Sequence, residues 1–311
     1  MRLLATAVPR SALDGNQKRG LRTVQRRASF EQASDAEVGG TGQPLGQPVP
    51  DLGLRFDQID LWFGGSKRRE PVQALSGVSF DVADREFCAI VGPSGCGKST
   101  LLNLASGLRE PSGGEVYVNG SPVRGLLKDI GYVTQDSNLL PWLTVEDNIR
   151  LPLQIRGVPA AEQDALVERW VGLVGLDGFT RSYPRQLSGG MQKRCSIART
   201  LVYDPSILLM DEPFGALDAM TKAIMQDALL SLWNERPKTV LFVTHDLSEA
   251  LTLADKIVVI TRRPGRVRAV VPVDIPRPRD VFHASELKEF ASQHRVLWDM
   301  FASEISAGGS R

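Results

Sequence analysis

Apolar residues alternate with polar ones at Ile59, Leu61 and Phe63, again at Val78, Phe80 and Val82, and again at Val116 and Val118. A period of two marks strands with one buried face. Asn119-Gly120 follows the third set, and this pair favours the left-handed backbone of a tight hairpin turn. Four other segments are apolar without a break: Phe87–Val91, Ile207–Met210, Val240–Val243 and Ile257–Ile260. Continuous runs this short suit parallel strands covered on both faces. Between them the spacing becomes helical. Leu101, Leu104, Ala105 and Leu108 recur at i, i+3, i+4 and i+7. Leu166, Trp170, Leu173 and Val174 share one face, as do Met225, Leu229, Leu232 and Trp233. Strands alternating with helices predict an α/β fold with a parallel-sheet core. From about residue 138 to 190 the alternation stops and a helical subdomain is expected. A helical tail is expected over about 281–306.

Residues 1–53 break from this pattern. They are rich in Gly, Pro, Gln, Ser and Arg and have no apolar period, so they read as a disordered extension ahead of a domain over 54–311. Over residues 1–50 seven basic residues face four acidic ones, a balance that also resembles an organelle transit peptide. No apolar core of secretory type follows the first Arg. The whole chain carries a net charge of +1, which argues against nucleic acid as a partner because phosphate contacts need a basic excess. No run reaches the roughly 18 apolar residues of a membrane helix, so any transport role needs a separate membrane partner. Three scattered cysteines, Cys88, Cys96 and Cys195, suggest reduced thiols.

Residues 92–100 read GPSGCGKST, between an apolar strand and an amphipathic helix. This is the Walker A pattern in the context it requires. Glycines let backbone N–H groups close around phosphate oxygens, and the helix start adds partial positive charge. Gly92, Pro93, Ser94, Gly95, Cys96, Gly97, Lys98, Ser99 and Thr100 are therefore candidate ATP-binding residues. Lys98 suits the β- and γ-phosphates, and the Ser99 hydroxyl suits Mg²⁺.

The run Ile207–Met210 leads straight into Asp211-Glu212-Pro213. An acid at the end of a buried parallel strand faces the crevice where α/β ligands bind. Asp211 fits a Mg²⁺ carboxylate and Glu212 the group that polarises an attacking water. His245 ends a third strand on the same sheet edge, within reach of the same phosphate or water.

Residues 187–192 read LSGGMQ, followed by apolar Met191, Cys195, Ala198 and Val202 at helical spacing. Taken alone, Ser188 is an ordinary helix cap. In order along the chain, Walker A, Gln135, LSGGMQ, ILLMDEP, Ala216-Leu217-Asp218 and His245 resemble the ABC ATPase family over about residues 54–310. The implied fold is a P-loop NTPase with a parallel-sheet core, an antiparallel β subdomain and a helical signature subdomain. The resemblance implies an ATPase with ATP and Mg²⁺ as cofactors and makes Gln135 the sensor of Mg²⁺ and the attacking water. Ser188, Gly189, Gly190 and Gln192 then close on ATP held by a second copy, with Asp218 reaching across the dimer. An aromatic residue stacks on adenine in this family, matched here by Phe63, with Trp62 beside it and a charged insert, Gly65 to Glu70, after it.

Residues 139–148, LLPWLTVEDN, together with PFGALD, RPGRV and IPRPRD, are similar to the ATPases of nitrate, sulfonate and taurine importers. That likeness implies a permease, an extracytoplasmic solute-binding protein and a peripheral place on the cytoplasmic face of the inner membrane. Importers of a pyrimidine or thiamine precursor, and a soluble ABC ATPase outside transport, are the other readings. The 66 residues after His245 are too few for the regulatory domain of sugar-importer ATPases. Thr144 is expected to cap a helix beginning at Val145, with Trp142 in an apolar loop ahead of it.

Overall fold

The computed structural model describes residues 52–64 and 70–306. Most of the expected extension and of the charged insert lies outside them. Two strands open the described chain, β1 (Leu52–Phe63) and β2 (Val72–Ala83), paired antiparallel. β1 begins two residues inside the segment assigned to the extension. Leu52 pairs with Ala83, and the Gly53 carbonyl accepts from Asn119 N–H at 3.0 Å, so cross-strand bonds hold what composition reads as tail. With β4 (Gly113–Val118) and β5 (Ser121–Pro122) they form a four-stranded sheet in the order β2-β1-β4-β5. Asn119 and Gly120 both have positive φ, as the hairpin requires.

The second sheet has six strands, β10-β9-β3-β8-β7-β6. They are β3 (Phe87–Val91), β6 (Ile130–Val133), β7 (Ile207–Asp211), β8 (Thr239–Thr244), β9 (Lys256–Ile260) and β10 (Val267–Pro272). All pair in parallel except β10, which runs antiparallel to β9 on the edge. The unbroken apolar runs have a direct cause. In β3, Phe87, Ala89 and Val91 join one core cluster, while Cys88 and Ile90 join the other. The first cluster carries the helices of the signature region, and the second packs α1 (Lys98–Ala105) and the antiparallel sheet.

The helical region contains α2 (Val145–Ile155), α3 (Ala160–Leu173) and α4 (Gly189–Leu201). Thr144 caps α2, its side chain accepting from Asp147 N–H, and Glu146 and Asp147 occupy the first turn. After α5 (Ala219–Glu235) and α6 (Leu247–Leu253), the chain ends its described part in α7 (Lys288–Ser306). The tail expected from residue 281 is regular only from Lys288, behind a short 3₁₀ turn at Ala284–Glu286. The spacing that placed Leu108 on the face of α1 fails. Helix α1 stops at Ala105, and Leu108 is 58% exposed. Gly107 turns the chain with φ +75°, where a Cβ would sit 1.9 Å from the Gly125 carbonyl oxygen. Among the described residues no helix is long and apolar enough to cross a membrane. Cys88, Cys96 and Cys195 are all free and buried.

Candidate active site

Strand β3 delivers Gly92–Gly97 to the carboxyl edge of the parallel sheet, and α1 starts at Lys98. Gly97 caps that helix with φ 106°, a left-handed backbone, and a Cβ there would lie 2.6 Å from Leu75 Cδ2. No side chain caps α1. Its first N–H groups therefore face the loop, which is the arrangement that receives phosphate. The nearly buried Lys98 ammonium donates to the carbonyls of Gly92 at 2.8 Å and Pro93 at 3.1 Å. Cys96 points the other way, into the core.

A cavity of about 410 Å³ opens over this loop. It is lined by Phe63, Ala74, Ser94, Gly95, Gly97, Lys98, Ser99, Thr100, Gln135, Glu212, His245 and Arg263. A second cavity of about 770 Å³ shares Ser94, Gly95, His245 and Arg263 with it, adds Gly92 and Pro93, and runs to Phe301 on α7. Residues from opposite ends of the described chain thus meet at one edge of the sheet. Phe63 lines the smaller cavity, with the Arg109 guanidinium 4.6 Å above its ring, whereas the neighbouring Trp62 is not part of the lining.

Asp211 ends β7 and is 5% exposed. Burial raises its carboxyl above the usual range, against a hydrogen bond from Ser99 that pulls the other way. Its Oδ1 is buried without a hydrogen-bond partner. Orphaned buried oxygens of this kind are rare, and a hydroxyl beside a carboxylate is a hard-oxygen donor set suited to Mg²⁺. Among the described residues no group of three His, Cys, Asp or Glu stands ready for a metal, so Mg²⁺ here would take its remaining ligands from water and phosphate oxygens.

Glu212 has φ +43°, a left-handed backbone that non-glycine residues seldom adopt. Its N–H donates to the Val243 carbonyl at 2.9 Å, which holds the strained peptide against β8. Its Oε2 lies 3.3 Å from Nδ1 of His245, the residue after β8. Strain of this kind concentrates at functional positions.

The signature residues lie elsewhere. Ser188 caps α4, accepting from Met191 N–H at 3.2 Å, and neither it nor Gly189 or Gly190 lines the chain's own cavity. Gln192, grouped with them from sequence, spends its amide on the carbonyls of Pro184 and Leu187 and accepts from Ser137 Oγ. Asp218 caps α5 by accepting from Thr221 N–H at 3.0 Å. These backbone hydrogen bonds hold its carboxyl below the usual range. Sequence reading missed Arg109, which lies against Phe63, and Arg263, which lines both cavities. Arg109 over Phe63 had no motif to announce it. Arg263 lies in the RPGR segment, which had signalled only kinship, yet its Nη2 donates to the Gly95 carbonyl at 3.0 Å.

Comparison with known proteins accounts for this assembly. The ABC transporter family matches residues 75–215. A putative ATP-binding protein of Brucella abortus is 44% identical over 246 residues, 79% of this chain and 92% of its own length. An aliphatic sulfonates import ATP-binding protein of Bacillus cereus is 42% identical over 226 residues, covering 73% of this chain and 88% of that one. Among solved structures, a dimeric ATP-binding cassette in a post-hydrolysis state with ADP and phosphate superposes with a TM-score of 0.65 at 32% identity, over 72% of this chain and all of the cassette. A P-loop, a strand-end acid pair and a capped signature helix, at this level of identity over most of the chain, have one source: the chain belongs to the ABC transporter family, as an ATP-binding and ATP-hydrolysing subunit.

Proposed function

We propose that this subunit powers import of a small anionic solute such as nitrate, an alkanesulfonate or taurine, working as a homodimer on the cytoplasmic face of a permease. The relative named for aliphatic sulfonates import supports the solute class. A solute-binding protein outside the membrane would feed the permease. In the ATP cleft Lys98 and the start of α1 hold the phosphates, and Phe63 takes the adenine. Glu212 orients and deprotonates the attacking water, with His245 beside it. Ser99, Asp211 and Gln135 are the residues that would hold Mg²⁺, which when bound neutralises charge on the transferred phosphoryl group. Ser188, Gly189 and Gly190 serve the ATP of the partner copy, in keeping with their distance from their own cavity.

Asp211→Asn separates this role from a structural one. The amide replaces a buried carboxylate whose Oδ1 lacks a partner, so desolvation costs less. Thermal unfolding without nucleotide should stay level or rise slightly, while Mg²⁺-dependent turnover falls about 100-fold or more. A variant that melts several degrees lower would make Asp211 a structural acid instead.

The observation that carries the coupling to a permease is the loop Leu139–Leu143 beside Gln135. Trp142 in it is 69% exposed. The loop is nevertheless tied down by hydrogen bonds. Asn148, fully buried in α2, accepts from Leu140 N–H at 2.9 Å and donates to the carbonyls of Leu140, Leu143 and Thr144. Leu139 packs against the core. A large aromatic is thus held outward on a fixed frame, which suits an interface anchor. Trp142→Ala should keep fold and ATP binding, weaken permease co-purification about 30-fold, and uncouple hydrolysis from uptake in vesicles. Unchanged coupling, or a subunit that no longer folds alone, would remove Trp142 from the interface.

A further inference from the structure

Lys193 is a charged residue with a burial that its position on a helix surface does not foretell. It lies on α4, five residues after the cap Ser188, and is 2% exposed. Its Nζ donates to two main-chain carbonyls, Thr134 at 2.6 Å and Gln135 at 2.9 Å. Burying an ammonium is costly, and a methionine would fill the same space at no such cost. Lys193 is not alone in reaching this strip of backbone. Gln192 Oε1 accepts from Ser137 Oγ at 3.2 Å, and Arg199 donates to the carbonyls of Asn138 at 2.9 Å and Ser137 at 3.3 Å. Three side chains of one helix therefore hold residues 134–138, the segment that follows β6 and carries Gln135 into the cavity. Of the three, Lys193 grips the two carbonyls nearest the Gln135 side chain, one on each side of its Cα-bearing unit.

We propose that Lys193 is a positioning residue that fixes the Gln135 main chain to the signature helix, so that nucleotide sensed in a chain's own cavity moves Ser188–Gly190 in the site shared with the partner copy. This rests on the reading above that Ser188 serves the partner's ATP. The physical argument is one of stiffness. Helix α4 transmits a displacement along its axis because its hydrogen bonds are internal, whereas a loop without Lys193 would yield locally. The two ATP sites of a dimer are then linked through a pair of identical struts, one in each chain. The link predicts cooperativity, for which the Hill coefficient has an upper limit set by the number of sites.

The test uses the full chain with Lys193→Met, which keeps size and removes the donors, and Lys193→Arg, which keeps a cation with several donors. ATP affinity is measured with a fluorescent ATP analogue, and turnover is followed against ATP concentration. For Lys193→Met we expect analogue affinity and KM within about twofold of wild type, kcat lower by about tenfold or more, and a Hill coefficient falling towards 1. Lys193→Arg should recover most of both. Lys193→Met with wild-type kcat and wild-type cooperativity overturns the strut. Loss of analogue binding and fold in both variants overturns it too, leaving Lys193 as a structural residue only. A wild-type coefficient of 1 overturns the link between the sites, whereas a wild-type chain that stays monomeric with ATP in gel filtration overturns instead the two-copy reading on which the proposal stands.

Discussion

Glu212→Gln is expected to bind ATP normally, hydrolyse it about 10²–10⁴-fold more slowly and accumulate as an ATP-bound dimer. Glutamine keeps the shape of the side chain and its place 3.3 Å from His245, but it has no charge with which to accept a proton from water. A factor of this size corresponds to about 3–5 kcal/mol of barrier. The strained backbone at φ +43° belongs to the position rather than to the carboxylate, because its anchor is the hydrogen bond from the Glu212 N–H to the Val243 carbonyl. Thermal stability should therefore hardly change. Turnover, analogue binding and gel filtration with ATP read the three consequences separately. Near-normal turnover would refute the assignment and move the proton-accepting role elsewhere, with His245 the nearest candidate.

Most of the sheet architecture was legible because burial leaves a periodic trace. The strands of the parallel sheet are covered on both faces, so β3, β7, β8 and β9 read as unbroken apolar runs. Short-range chemistry was equally plain, as with Thr144 capping α2 and Asn119-Gly120 closing the hairpin. Element ends were not, because periodicity shows which face is buried and not where it stops. Leu108 keeps the i+7 spacing of α1, but Gly107 has already turned the chain away. Leu52 and Gly53 look like tail by composition and are held by partners at Ala83 and Asn119.

The site divides along the same line. Residues that sit on a strand end or helix start carry their position in the local pattern, which is how Gly92–Thr100, Asp211, Glu212 and His245 could be placed on one edge. Residues that act through distant partners carry no such mark. Arg263 meets the Gly95 carbonyl across 168 positions of sequence. Lys193 meets Gln135 across 58, and a lysine on a helix is ordinarily solvated. Gln192 adds a contact within the chain to the place that likeness implies for it at the partner's ATP. Family likeness puts it against the ATP of a second copy, and within one chain its amide donates to the carbonyls of Pro184 and Leu187. A glutamine able to make four hydrogen bonds is drawn to whichever carbonyls a neighbouring turn leaves unpaired.

The central claim is that each ATP is handled by two copies of this chain, one supplying Lys98 and the other Ser188. It is tested most directly by mixing two inactive variants and measuring ATP turnover. Lys98→Ala removes the ammonium from the phosphate loop, and Ser188→Arg fills the start of α4 with a bulky cation, so each homodimer should be silent. In a mixed dimer one composite site carries both lesions and the other carries neither. Random pairing of equal amounts makes about half the dimers mixed, each with one intact site, so turnover should return, to about a quarter of wild type for independent sites and to less where the strut links them. Each variant should also still form its partner's half of the site, so recovery should rise and fall with the mixing ratio and peak near equality. Mixtures that stay silent at every ratio, although gel filtration shows the mixed dimer forming, would contradict the claim.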